Sequence, residues 1–144
     1  MLSFIGDLTN QLTPTPGLVV ARDAADSSDA VMRARGGLRP RALRHVREYI
    51  LAHLEEDLSN HVLAKLVGLS AYHFSRAFKQ SAGVSPHRFV LQSRVERAKH
   101  LLGETELSLA EIALIVGFGD QSHCARWFRK IVGITPSRFR WLRR

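Results

Sequence analysis

One stretch of this chain occurs twice, and the repeat constrains the fold more than any other feature. The first copy runs Ala64-Lys65-Leu66-Val67-Gly68-Leu69, then His73, Arg76, Phe78, Gly83, Pro86, Arg88 and Phe89. The second runs Ala113-Leu114-Ile115-Val116-Gly117-Phe118, then His123, Arg126, Phe128, Gly133, Pro136, Arg138 and Phe139. The offset is 49 at the glycine pair Gly68/Gly117 and 50 at the histidine pair His73/His123, so the second copy has one extra residue in its turn. A chain of 144 residues has room for one domain or for two small subdomains sharing a connector. The repeat favours the second arrangement. Each half alone would be small for a self-sufficient core, although 45% hydrophobic residues are enough for a packed interior.

Apolar spacing and stop signals predict helices throughout the repeated region. Leu43, Val46, Ile50 and Leu54 recur at helical intervals after Pro40, with Arg41, Arg44 and Arg47 off that stripe. Ser59 caps a second helix that stops at Gly68, and Ser70 caps a third from Ala71 to about Ser81, ended by Gly83. Pro86 opens a longer fourth helix with the stripe Leu91, Val95, Ala98 and Leu102, and Gly103 is expected to stop it. Ser108 caps a fifth helix ending at Gly117, a sixth spans about Gln121–Val132, and Thr135-Pro136 begins a short seventh. No useful length alternates with period two. The reading is all-α, with seven helices.

Residues 1–38 differ in character. Pro14, Pro16, two Gly-Leu steps and a polar patch from Arg22 to Asp29 read as a tail or linker of low order. Val19-Val20 is a short strand or nothing, and Ala30–Arg35 fits a single helical turn. The net charge of +8 is unevenly placed: residues 39–144 carry 18 Lys and Arg against 9 Asp and Glu, while the first 38 carry 3 against 4. The basic excess belongs to the repeat, as in a module that binds a polyanion.

Helix, glycine turn, helix is the helix-turn-helix arrangement, whose second helix can enter the DNA major groove. Such a helix needs two incompatible faces. At about 100° per residue, Tyr72, Ser75, Arg76 and Lys79 fall on one side, opposite Phe74, Ala77, Phe78 and Ser81. In the sixth helix Ser122, Ala125, Arg126 and Arg129 lie together, opposite Cys124, Trp127, Phe128 and Ile131. Arginine donates two hydrogen bonds to guanine O6 and N7, and Ser, Gln and Tyr contact bases or phosphates.

These residues carry a resemblance. Residues from about Arg39 to Arg144 resemble the DNA-binding domain of the AraC/XylS family of bacterial transcription regulators. AEIALIVGFGDQSHCARWFRKIVGITPSRFR follows that family's signature, with Ala113, Gly117, Phe118, Gln121, Ser122, Phe128, Gly133 and Pro136 at its characteristic places; LSAYHFSRAFKQSAGVSPHRF matches its first recognition segment. The resemblance implies two helix-turn-helix subdomains, about 39–84 and 107–142, joined by a linker helix over about 86–102. It implies promoter DNA and RNA polymerase as partners, with activation the commonest outcome. It places DNA contacts on Tyr72, Ser75, Arg76 and Lys79 in the first recognition helix and on Gln121, Ser122 and Arg126 in the second; Arg129 joins them by its face. A linker helix of about 17 residues is roughly 25 Å long and could set the two heads one DNA turn apart, about 34 Å. Two positions depart from the family pattern: Cys124, where a large apolar residue is usual, and Asn60-His61 early in the second helix. A sensory domain of the usual size does not fit in a 38-residue tail, so the chain reads as a stand-alone member or as a truncated form.

Other chemistry is poorly supported. Cys124 is the only cysteine, which fits a reducing, cytoplasmic setting and leaves no disulfide framework or cysteine-based zinc site. No apolar run of about 18 residues exists, and no basic segment precedes an apolar stretch at the start, so neither a membrane span nor a secretory signal is expected. His73 and His123 lack further ligands at metal-binding spacing. Ser122-His123-Cys124 are helix neighbours that point about 100° apart, unlike a nucleophile and its base. Glu55, Glu56 and Asp57 read as the solvated end of the first helix. Arg138, Arg140, Arg143 and Arg144 fit either phosphate contacts or a soluble terminus. No catalytic residue, cofactor, metal or effector domain is expected, and the protein is read as a non-enzyme. Two other readings stand beside the regulator: an interaction protein that antagonises a full-length regulator, and a DNA-repair methyl acceptor.

Overall fold

The computed structural model describes residues 31–33 and 36–144. Among them are seven helices: α1 Pro40–Ala52, α2 Asn60–Leu66, α3 Ala71–Ala82, α4 Pro86–Glu104, α5 Leu109–Val116, α6 Gln121–Val132 and α7 Pro136–Leu142. They form two compact units. One comprises the described residues up to His53 with Asp57–Phe89; the other comprises Leu54–Glu56 with Val90–Arg144. The first turn of α4 therefore belongs to one unit and the rest of that helix to the other.

Local chemistry sets the helix boundaries. Ser59, Ser70, Ser108 and Thr135 each accept a backbone N–H from three residues on, satisfying a donor that the first turn leaves unpaired. Ser108 goes further: its own N–H donates to Glu111 Oε2 at 2.8 Å, closing a reciprocal box. At the other ends Gly83 and Gly133 take φ of 83° and 96°, where a Cβ would be strained, and their N–H groups return to Lys79 and Arg129 carbonyls.

In the first unit α2 and α3 pack together, with α1 also against α3. Val46 and Ile50 of α1, Leu63 of α2, and Phe74 and Phe78 of α3 are fully buried. Phe78 meets Phe89 edge to face at a centroid distance of 5.7 Å. The second unit repeats the plan. Leu91, Val95, Ala98 and Leu102 of α4 meet Ile112 and Val116 of α5 and Phe128 of α6, and Phe139 packs on Phe128 at 5.5 Å. Cys124 is completely buried in this core, and Trp127 packs against the same cluster.

The described residues before 39 belong to the first folded unit and not to the tail. Most of residues 1–38, Val19-Val20 included, lies outside the described residues. At the described end, however, Val31 and Leu38 are 2% and 1% exposed. Met32 and Leu38 pair in an antiparallel bridge, so Met32 does not continue a helical turn. Arg39 N–H donates to Val31 O at 2.6 Å and Arg39 Nε to Met32 O at 3.1 Å. Ser81 Oγ of α3 donates to Leu38 O at 3.1 Å. Gly37 sits so close to α3 that a Cβ there would lie 2.5 Å from Ser81 Oγ. Two apolar anchors and a backbone hydrogen-bond pattern, invisible to composition, make this segment a strap over α3.

A second correction concerns Gly103. It does not stop α4, which runs on to Glu104. Arg140 supplies what local sequence lacks: its Nε donates to Leu102 O at 3.1 Å and its Nη2 to Thr105 O at 3.3 Å. Carbonyls exposed by the helix end are thus satisfied from α7, and glycine is tolerated in the last turn.

Candidate nucleic-acid interface

The glycine turn before each second helix aims that helix outward. In the first unit Gly68 adopts φ of 69°, and Leu69 N–H returns to Ala64 O at 3.1 Å. In the second Gly117 adopts φ of 95°, and Phe118 N–H returns to Ala113 O at 2.9 Å. Gly117 has a further constraint: a Cβ there would lie 1.9 Å from the Leu54 carbonyl oxygen. Arg94 holds that same segment, Nε donating to Leu54 O at 3.0 Å and Nη2 to Glu56 O at 3.1 Å. The extra residue of the second turn falls at Gly119 and Asp120. Asp120 caps α6, its Oδ1 accepting His123 N–H at 2.7 Å. His123 turns its ring back, with Nδ1 at 3.2 Å from Phe118 O, so it braces the turn.

Helix α3 separates its faces as its spacing predicts. Phe74, Ala77 and Phe78 are buried, while Tyr72, Arg76 and Lys79 are exposed and Ser75 is half-buried. Helix α6 buries Cys124 and Phe128 and exposes Gln121, Ser122, Arg126 and Arg129. All eight expected contact residues lie on the solvent side of their helices, four on each. Neither helix contains an acidic residue, so both outer faces carry only positive charge. Lys130 is set apart, its ammonium lying 4.7 Å over the Trp127 ring. One detail was missed in the sequence: Arg76 Nη1 donates to the Tyr72 hydroxyl at 2.8 Å. Its i,i+4 spacing is a recognisable signal for such a bond.

The first helix of each pair is different. Helix α5 has no basic residue and leaves Leu114 and Ile115 exposed, whereas α2 carries Lys65 at the place equivalent to Leu114. The first helix of the second pair thus adds no positive charge beside α6, whereas Lys65 adds one beside α3. Cys124 has its thiol pushed up to about 11 by burial, leaving it protonated at neutral pH.

The sequence pattern of a helix-turn-helix domain family matches residues 63–141. The regulatory protein PocR of Salmonella typhimurium is 33% identical over 132 residues, 91% of this chain and 44% of that protein. A transcriptional regulator from Chromobacterium violaceum, described as AraC-type, superposes with a TM-score of 0.67 at 34% identity, over 72% of this chain and 92% of that one. The chain belongs to the AraC-type helix-turn-helix family. The DNA-binding domain of AdpA, solved in complex with a target DNA, also superposes on this AraC-type fold with a TM-score of 0.67 at 29% identity, over 70% of this chain and 91% of that one. The chain spans between 13% and 44% of the length of the curated relatives it matches. Among the described residues no helix is long and apolar enough to cross a membrane. No group of three or more metal-ligating side chains occurs among them.

Proposed function

We propose that this protein is a sequence-specific, DNA-binding transcription regulator acting in the cytoplasm. It inserts α3 and α6 into successive major-groove segments of promoter DNA. The carrying observation is the pair of arginine-centred outer faces, each set opposite a fully buried aromatic core. Arg76 and Arg126 are the base readers, since a planar guanidinium fits guanine O6 and N7. Tyr72, Ser75, Gln121 and Ser122 add base or phosphate contacts. Lys79 and Arg129, one turn further on, neutralise phosphates and fix register.

The exposed faces are not copies. Tyr72 corresponds to Ser122, Ser75 to Ala125 and Lys79 to Arg129, so the two helices read different half-sites in an asymmetric operator. Activation of transcription through RNA polymerase is the regulatory outcome assigned to this reading. Methyl-acceptor chemistry is disfavoured by the burial and high thiol pKa of Cys124, because the thiolate is the nucleophile in such transfers.

The test is selection of genomic fragments by the purified protein, followed by affinity measurement against random duplex. Nanomolar-range binding of selected fragments, well above random DNA, is expected. Equal affinity for both at low salt would refute the reading.

A further inference from the structure

The guanidinium of Arg76 is held in place before any partner arrives. Nη1 donates to the Tyr72 hydroxyl at 2.8 Å, and Cζ lies 5.6 Å from the centre of the Tyr72 ring. The two residues stand one turn apart on α3, where i and i+4 side chains meet. Both are exposed, Tyr72 at 71%, so burial does not force the bond. No other hydrogen bond or ion pair engages this guanidinium among the described residues.

A guanidinium carries five N–H donors in one plane. Nη1 gives one of its two N–H groups to the phenol oxygen, and the edge made by Nε–H and Nη2–H stays open. That edge is a complete two-pronged donor for guanine O6 and N7. Unrestrained, the same side chain could offer either of two edges, or a single hydrogen bond, to several bases and phosphates. Ordering such a flexible side chain on binding is costly, and a preformed bond removes part of that cost. In α6 the place of Tyr72 is taken by Ser122, which has no ring to set under Arg126.

We propose that Tyr72 is a positioning residue for Arg76, fixing its Nε/Nη2 edge as the reader of a guanine and making the α3 half-site the more stringently read of the two. This rests on the assignment of α3 as a DNA-reading helix.

A double-mutant cycle tests it. The probe is a duplex recovered by the wild-type protein from a random-sequence pool, together with its single-base variants, and binding is read by fluorescence anisotropy. Tyr72→Phe keeps the ring and removes the hydrogen bond. It should weaken binding to the selected duplex by roughly 2- to 13-fold, the range expected for losing one preordered side chain. Discrimination should fall at the base pair that Arg76→Ala also flattens and stay unchanged in the other half-site. In the Arg76→Ala background Tyr72→Phe should cost clearly less than in the wild type and change no base preference. Equal losses in both backgrounds, or an unchanged base profile, would overturn the proposal while leaving the DNA-reading assignment intact. If the wild type selects no sequence from the pool, both fall.

Discussion

Arg76 and Arg126 occupy equivalent places in two equivalent helices, and their neighbours differ: Tyr72 stands one turn before the first and Ser122 before the second. Alanine at either should cost about 1–3 kcal/mol on the selected site and relax preference at one base pair, in opposite halves of the operator. Titration of base-substituted duplexes measures both effects, and loss spread evenly over all sequences would instead mark these arginines as phosphate contacts. The two-faced character of α3 and α6 was legible because the helical period alone assigns Phe74, Phe78 and Phe128 inward and the arginines outward. The bond between Tyr72 and Arg76 was less visible, since spacing permits that contact without requiring it. Asp120 was overlooked as a cap for a different reason. The second copy is one residue longer just before α6, so alignment with Ser70 hides the residue that does the same job.

At the scale of elements, serine caps and glycine stops were readable because each acts within four residues of its own helix end. Gly103 misled because the group sustaining the end of α4 is Arg140, 38 positions from Leu102. The strap misled because Val31-Met32 and Leu38 are too short and too far apart to form an apolar pattern, and only the folded unit shows that Val31 and Leu38 are core. Leu38→Ala should therefore destabilise the first unit by about 2–5 kcal/mol, a core-sized loss measurable by chemical denaturation. A residue of a loose tail would give almost none. The Ser108–Glu111 box makes a pH prediction. Hydrogen bonds from the Ser108 backbone, and then from its side chain, hold the Glu111 carboxyl below its ordinary range. A carboxyl with a depressed folded pKa contributes stability above the ordinary glutamate range and loses it as pH falls through the lowered value. Stability profiles of wild type and Glu111→Gln should thus be separated at neutral pH and converge on acidification. A constant gap would contradict the box as the source.

For the whole molecule, charge sets the salt dependence expected of the proposed DNA contact. The excess of Lys and Arg over Asp and Glu lies in residues 39–144, and the outer faces of α3 and α6 carry no acid to offset it. Log affinity should fall linearly with log salt, with a slope near −0.9 for each phosphate neutralised. Lys79→Ala and Arg129→Ala should each lower that slope by about one and weaken all sequences alike. Unchanged slopes would remove these two residues from the phosphate set. The strap has a mechanical meaning as well. Its hydrogen bonds tie Val31, Met32 and Arg33 to Gly36, Gly37 and Arg39 and, from Leu38 to Ser81, to the last turn of α3. A pull applied to the backbone at Val31 is met by Arg39, the residue that opens α1, and, through Leu38 and Ser81, by α3. The first unit therefore has a handle, fastened to two of its helices.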